Sequence, residues 1–510
     1  MGNERPGRYL WGYLLMSGVL AIVLPVAILI GGAFIIYVLA RLFNLNNRVE
    51  AILTVVVLAI ALMALVNNYH QIEELATNPD AVFGDFSPGG IVLIPSALGI
   101  FIMIISIIVS IMITVYSGEY LMRDSRYLNY YPLILLTQAG LMGMFLSNNL
   151  FNLLLLTELS TVAASSLIAF RFNQHIAIRA GFKYLIMNSL GTMMMLLGIY
   201  FLYRSTGDVH LFHILSAPDN LTRIAAGCFL LGFSLKAGVF PLHTWVPDVY
   251  GHAPSAIGGL LAGVFSKSML FILPVICLRL GMTYEELGTY LMVFACFNML
   301  VGSVRMLGEN LLRRFLSFSS IAQTGYLMFG LGIGFYYNLD EAFSAGLFLF
   351  MVIAIMKCLG FLASGIYQFY FRTQDITQLQ GEAHRMPLVA LCFSVALAGL
   401  AGIPLLAGFT GKWIIFSVAL MTGDLFAIIC LAIFLLTTLI SLGGYLPLLV
   451  RQYQKPNEGE QVDADRQFPE RVSGWLVAPI VILAILVILI GVFPGPWVSL
   501  IDYVVGWMVI

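Results

Sequence analysis

The sequence predicts an all-α protein that crosses a lipid bilayer many times, and three observations carry that prediction. Of its 510 residues, 60% are apolar and only 10% are charged, whereas an ordinary soluble domain carries roughly 25% charged residues. Apolar runs of about 20 residues recur along the whole length, each enough for a helix to cross about 30 Å of hydrocarbon. Outside those runs, Arg and Lys collect on one side of an alternating path.

Fourteen spans follow from the runs, near 18–42, 50–66, 91–116, 131–147, 149–170, 182–203, 224–242, 254–280, 287–304, 312–336, 342–368, 387–420, 423–450 and 475–493. Turn signals separate several of them, such as Asn148-Asn149 and Pro494-Gly495-Pro496. The stretch ahead of the first span is expected to anchor at the interface or touch a neighbour, and no cleavable signal peptide is evident. Alternate assignment puts Arg41, Arg48, Arg123, Arg126, Arg171, Arg179, Lys183, Arg305, Arg313, Arg314, Arg372, Arg385, Arg451, Lys455, Arg466 and Arg471 on one side. Only Arg5, Arg8, Arg204, Arg223 and Arg279 fall on the other. Sixteen against five implies an even number of spans with both termini on the non-cytoplasmic side. The longest polar segments, 67–90, 204–222 and 452–472, are too short for a soluble domain, so the chain reads as one membrane domain, 1–510.

Lysine is placed where it is most costly. Of six lysines, Lys236, Lys267, Lys357 and Lys412 fall inside spans, while all nineteen arginines sit at span ends or in loops. A mid-membrane lysine costs roughly 2.5–3.5 kcal/mol, so four cost on the order of 10–14 kcal/mol, comparable to the net stability of a domain. Glu158, in the run Leu153-Leu-Leu-Leu-Thr-Glu158-Leu, is the one acid clearly within an early span and calls for a lysine partner from another helix. A buried lysine can release its proton near neutral pH, whereas arginine stays charged. Four such lysines joined by water would pass a proton from one to the next. Structural ion pairs or snorkelling heads are the plainer alternative, but four lysines on four different spans fit it poorly.

Two of the spans carry breakers. The seventh holds Gly238 and Pro241 beside Lys236, and the over-long twelfth holds Gly402, Pro404, Gly408 and Gly411 ahead of Lys412. Non-helical backbone at membrane depth is tolerated only where it is buried or lines a cavity. Freed carbonyls and water at these breaks are therefore expected to solvate Lys236 and Lys412. Broken helices at matching places five spans apart point to two inverted five-helix repeats, 131–280 and 287–450, between N-terminal helices (1–130) and a C-terminal helix and tail (475–510).

The motifs around these lysines resemble a known family. Phe233-Ser-Leu-Lys236-Ala-Gly-Val-Phe-Pro-Leu-His-Thr-Trp-Val-Pro-Asp248, Ala253-Pro-Ser and Leu261-Ala-Gly-Val-Phe-Ser-Lys267 are similar to stretches of the antiporter-like subunits of respiratory complex I and its relatives. So are Arg313-Arg-Phe-Leu-Ser-Phe-Ser-Ser-Ile-Ala-Gln-Thr-Gly-Tyr326, Met356-Lys-Cys-Leu-Gly-Phe-Leu-Ala-Ser-Gly365 and Gly402-Ile-Pro through Lys412. The resemblance covers about 95–445. It implies a horizontal proton path Glu158–Lys236–Lys267–Lys357–Lys412, the same five residues that the chemistry nominates. Lysine at both 357 and 412 looks more like the D-type subunit of Mrp sodium/proton antiporters, or its counterpart in membrane-bound hydrogenases, than like complex I subunits. The short stretch after the last span argues against the largest, distal type of subunit. The resemblance further implies partner membrane subunits of a larger complex, antiporter-like or small ion-channel subunits among them, in the plasma membrane of a prokaryote. Protons are the expected cargo, with sodium a second candidate.

Other features imply little chemistry. His243 and His252 border the loop after the seventh span and are candidate path ends, with capping or packing an equal reading. No metal-ligand spacing, Walker motif, GxGxxG turn or CxxC pair occurs, so no metal, nucleotide or iron–sulfur cofactor is expected. The net charge of −1 offers no basic face to nucleic acid. Any driving force must come from partners, as electron transfer next door or a sodium gradient. Two other roles stay open, a spacer subunit that no longer conducts and a stand-alone secondary transporter.

Overall fold

The computed structural model describes residues 7–67, 83–84, 92–93, 96–122, 129–171, 173–211, 219–454 and 472–506, with side chains from Val23 onward. Of the charge count above, Arg5, Arg123, Arg126, Lys455, Arg466 and Arg471 lie outside the described residues.

Helices α1 (Gly7–Phe43) and α2 (Asn47–Asn67) pack on each other. A two-residue strand pair, Phe83–Gly84 with Val92–Leu93, precedes α3 (Ala97–Tyr120). Then come α4 (Tyr130–Leu146), α5 (Leu150–Ile168), α6 (His175–Thr206) and α7 (Asn220–Ala237). A 3₁₀ turn, Leu242–Trp245, leads into α8 (Val246–His252). Helix α9 (Ser255–Arg279) contains one π turn, Leu261–Phe265. It is followed by α10 (Tyr284–Leu307), α11 (Leu312–Tyr337) and α12 (Asp340–Phe371). The chain ends in α13 (Pro387–Ala401), α14 (Ala407–Met421), α15 (Leu425–Tyr453), α16 (Gly474–Val492) and α17 (Gly495–Gly506). Among the described residues, eleven helices are long and apolar enough to cross a membrane, and α4, α13 and α14 are shorter apolar helices. The protein is an all-helical, multi-pass membrane protein.

Several boundaries differ from the sequence expectation. The first helix starts at Gly7, well ahead of 18. The third starts at Ala97 rather than 91, because Ser96 caps it by accepting from the Gly99 N–H at 3.0 Å. The tail, read only as a short stretch after the last span, contains α17, whose Ile501, Val504 and Val505 are buried where it packs on α12 and α3.

Contacts in and near the ends of helices sort those ends. Asn149 bridges to His210, and the Tyr337 hydroxyl donates to Asp424 at 2.6 Å. At the other end of the bundle Arg48 pairs with Glu119 at 2.7 Å, Lys183 pairs with Asp248, and Leu311 bridges to Asp375. Each pair joins turns that an up-and-down course brings together. Phe182, Ile186, Met193 and Tyr200 of α6 are exposed on one flank, as a lipid-facing stripe requires. Helix α12 is buried along its whole apolar stretch and forms the centre of the bundle.

Close helix approach depends on missing Cβ atoms. A Cβ on Gly191 would stand 2.9 Å from the Gly232 carbonyl oxygen, and one on Gly232 would stand 2.7 Å from that of Gly191. This reciprocal contact draws α6 and α7 together directly beside Lys236.

Candidate functional site

The site is built from helix faces that converge inside the bundle. Glu158 on α5 receives hydrogen bonds from two hydroxyls of α6, Ser189 at 2.9 Å and Thr192 at 2.6 Å. The Gly191–Gly232 contact is what lets α7 come close enough for Lys236 Nζ to reach 4.0 Å from the Glu158 carboxylate. Lys236 donates to Thr161 of α5 at 3.0 Å. The Glu158 side chain is 30% exposed and that of Lys236 1%, so the acid marks the flank of the bundle and the lysine its interior.

Helix α7 stops at Ala237, with Gly238 in the left-handed region (φ +70°) as its C-cap. The freed groups do not serve Lys236, as the sequence reading expected. Trp245 Nε1 donates to the Leu235 carbonyl at 3.0 Å, and the Phe240 N–H donates to Asn298 Oδ1 at 2.9 Å. The break is satisfied by an indole and an amide, which leaves Lys236 to Thr161 and Glu158. Pro241 follows in the linker to the 3₁₀ turn.

The other three lysines converge on one helix, α11. Lys267 follows the π turn of α9 and donates to Ser320; π turns of this kind often mark functional sites. Lys357, fully buried on α12, donates to the Leu316 carbonyl at 3.0 Å and to Ser319, whose hydroxyl meets that of Tyr445. Lys412 donates to the carbonyls of Leu400 at 3.1 Å and Ala401 at 3.4 Å, and its ammonium stands 4.6 Å from the centre of the Tyr326 ring. Leu316, Ser319, Ser320, Gln323 and Tyr326 recur at three- and four-residue steps, so they share one face of α11. Gln323 extends that face by donating to the same Leu400 carbonyl at 3.2 Å.

At Lys412 the expectation that freed carbonyls meet the lysine describes the geometry. Helix α13 ends at Gly402 (φ +86°), and Leu400 and Ala401 are its last two residues. The linker Gly402–Leu406 holds Pro404. Gly408, expected in the break, is instead helical, in the first turn of α14. Its reason for being glycine is contact: a Cβ there would overlap the carbonyl oxygen of Gly399. It lets the two half-helices pass, and does not unwind either.

His243 and His252 stand apart from the lysines. The His243 ring stacks on Phe240, with centroids 5.6 Å apart, and its Nδ1 is buried without a hydrogen-bond partner. His252 Nδ1 lies 2.7 Å from the Asp248 carbonyl oxygen, within its own helix α8. Among the described residues neither hydrogen-bonds to Lys236. All six cysteines are free and buried.

Sequence reading missed the hydroxyl and ring groups that join the lysines: Thr161, Ser189, Thr192, Ser319, Ser320, Gln323 and Tyr326. For the last four the signal was present in the motif from Arg313 to Tyr326, as polar residues spaced along one helical face.

Residues 147–441, more than half of the chain, match the family described as NADH:quinone oxidoreductase/Mrp antiporter, TM. The chain belongs to this family. It is 30% identical over 387 residues to the N-type subunit of the NADH-quinone oxidoreductase of Heliobacterium modesticaldum, covering 72% of this chain and 76% of the relative. It is 27% identical over 417 residues to the D-type subunit of the Na(+)/H(+) antiporter of Alkalihalophilus pseudofirmus, covering 80% and 82%. A chain of the membrane-bound sulfane sulfur reductase, an archaeal respiratory membrane complex, shares the fold with a TM-score of 0.83 at 23% identity, covering 97% of this chain and 98% of that one.

Proposed function

We propose that this family member is the proton-translocating, antiporter-like subunit of a multi-subunit membrane complex, and that its protons pass along Glu158–Lys236–Lys267–Lys357–Lys412. The observation that carries the reading is the α11 face, where serines and carbonyls hold Lys267 and Lys357 and a tyrosine ring holds Lys412. Relatives named as subunits of a quinone-reducing enzyme and of a sodium/proton antiporter support it. In this reading the chain makes fourteen crossings, counting α4, α11 and the broken pair α13–α14 with the longer helices. Two inverted five-helix repeats, 131–280 and 287–450, each contribute one broken helix. The end bearing most Arg and Lys faces the cytoplasm of a prokaryote, and both termini face outward. Partner membrane subunits supply the driving force.

The half-buried carboxylate of Glu158 makes that flank the place where a neighbouring subunit's charge is felt. Drawing Glu158 toward or away from Lys236 changes how firmly that lysine holds its proton, which is how a distant event would gate the line. The test is ion transport by the assembled complex in proteoliposomes. Lys236→Ala and Glu158→Gln are each expected to abolish coupled transport while the complex still assembles. Normal coupled transport by an assembled Lys236→Ala complex would sink the path.

A further inference from the structure

Away from the lysine line, one buried carboxyl has no partner among the described residues. Glu50 lies in the first turn of α2, is fully buried, and neither carboxyl oxygen has a hydrogen-bond partner among them. The same turn of α2 is tied to its neighbours. Asn47 Nδ2 donates to the carbonyls of Ser117 at 3.1 Å and Gly118 at 2.8 Å, in the last turn of α3. Tyr131 of α4 donates to Asn47 Oδ1 at 2.8 Å, and Arg48 pairs with Glu119 of α3. Trp475 of α16 and Ala51 close on Gly118, where a Cβ would stand 3.0 and 3.2 Å from them. The α1–α2 pair is thus clasped onto α3 by Asn47 and Arg48, in the same first turn of α2 that carries the buried Glu50.

The charged and titratable groups described on α1 to α4 at this end are engaged elsewhere. Arg41 of α1 stands over the Tyr37 ring, at 5.4 Å. Arg48 is held by Glu119, the Tyr130 hydroxyl meets that of Ser117 at 3.0 Å, and the Tyr131 hydroxyl is on Asn47. No cluster of three or more His, Cys, Asp or Glu that could hold a metal ion occurs among the described residues. An ionised carboxylate sealed from water with no donor is strongly disfavoured, whereas the neutral acid is far cheaper to bury. The one ligand that fits an isolated acid of this kind is a proton.

We propose that Glu50 is a proton-binding site separate from the lysine line, which keeps its proton while the α1–α2 pair is clasped to α3 and releases it when the clasp opens. Glu50 holds a proton in this way whether or not the lysine line conducts. The probe is infrared difference spectroscopy on the full-length protein in its native complex at neutral pH, reading the C=O stretch of protonated carboxyl groups. Wild type minus Glu50→Gln is expected to leave one protonated-carboxyl band, and coinciding spectra would overturn the assignment. Glu50→Leu removes the carboxyl without leaving a buried amide and gives the same readout if the glutamine variant does not fold. Asn47→Ala opens the clasp and is expected to lose the Glu50 band at the same pH. Retention of the full band in Asn47→Ala would overturn the link between clasp and proton.

Discussion

Ser320→Ala tests whether the hydroxyls of α11 take part in the proton line. The Lys267 ammonium donates to Ser320, whose own hydroxyl donates to the Ala262 carbonyl at 3.3 Å, and no second acceptor for Lys267 is present among the described residues. A hydrogen bond to a charged group contributes about 1.5–3 kcal/mol. Removing it raises the protonated state of Lys267 by that amount, and a relay that passes through this state slows about 10- to 100-fold. Ser319→Ala is the internal control. Lys357 loses one acceptor there but keeps the Leu316 carbonyl at 3.0 Å, so its loss is expected to be smaller. Ser320→Thr keeps the hydroxyl and is expected to recover most of the rate. The assay is proton uptake by proteoliposomes of the assembled complex, followed with a pH-sensitive dye. Wild-type rates in Ser320→Ala, or a larger loss in Ser319→Ala, would refute the reasoning.

Three further outcomes are expected. Tyr326→Leu removes the ring beneath Lys412 and Tyr326→Phe keeps it; a cation–π contact is worth about 0.5–2 kcal/mol, so only the leucine variant should slow transport, by about 2- to 30-fold. Gly408→Ala forces a methyl against the Gly399 carbonyl, and overpacking of this kind costs about 1–3 kcal/mol, read as a lower Tm in detergent than for Gly227→Ala, a helical position whose Cβ meets nothing within 4 Å. The Asp219 carboxyl, which caps α7, is held below its ordinary value of 3.8 by the Thr222 N–H and then by the Ser205 hydroxyl. A depressed carboxyl contributes stability above its unfolded pKa and loses it as pH falls through the folded one, so the Tm of wild type should drop below about pH 4 more than that of Asp219→Asn, which keeps a cap that does not titrate.

The lysines and the helices were legible in the sequence for the same physical reason. A charge at mid-membrane depth is so costly that its placement stands out in a single chain, and apolar runs of spanning length can do little else. The break at Gly402–Leu406 was legible because glycine readily takes the left-handed turn that ends a helix and proline two residues on cannot continue one. Gly408 was misread because glycine has two uses, to unwind a helix and to let another backbone approach. Only the position of Gly399 on the neighbouring half-helix decides between them. The role of Ser319 and Ser320 was missed for a related reason, although their spacing on one face of the motif was there to read. Serines on an apolar helix commonly bond to their own backbone, and only the crossing of α11 between α9 and α12 turns these two toward lysines. Glu50 escaped notice because the expected span, 50–66, begins on it. Helix α2 begins at Asn47, three residues earlier, and those residues form the clasp in the turn that carries the carboxyl.

The two ends of the lysine line are built on different principles, and the difference bears on how charge moves through it. At the α5–α7 end, the Lys236 charge is balanced by a carboxylate 4.0 Å away, itself held by two hydroxyls and open to the flank. From Lys267 to Lys412 no described acid pairs with any lysine, and the ammonium groups rest on neutral oxygens and a ring. Neutral acceptors can offset desolvation but cannot cancel charge, so a proton on Lys357 repels one on Lys267 or Lys412. Lys357 stands within electrostatic reach of both. On the proposed path, a proton crosses this stretch as a mobile excess charge that one site gains as its neighbour loses it. On the same proposal the carboxylate at the other end gives that charge a resting place, and moving Glu158 relative to Lys236 would release it into the acid-free stretch.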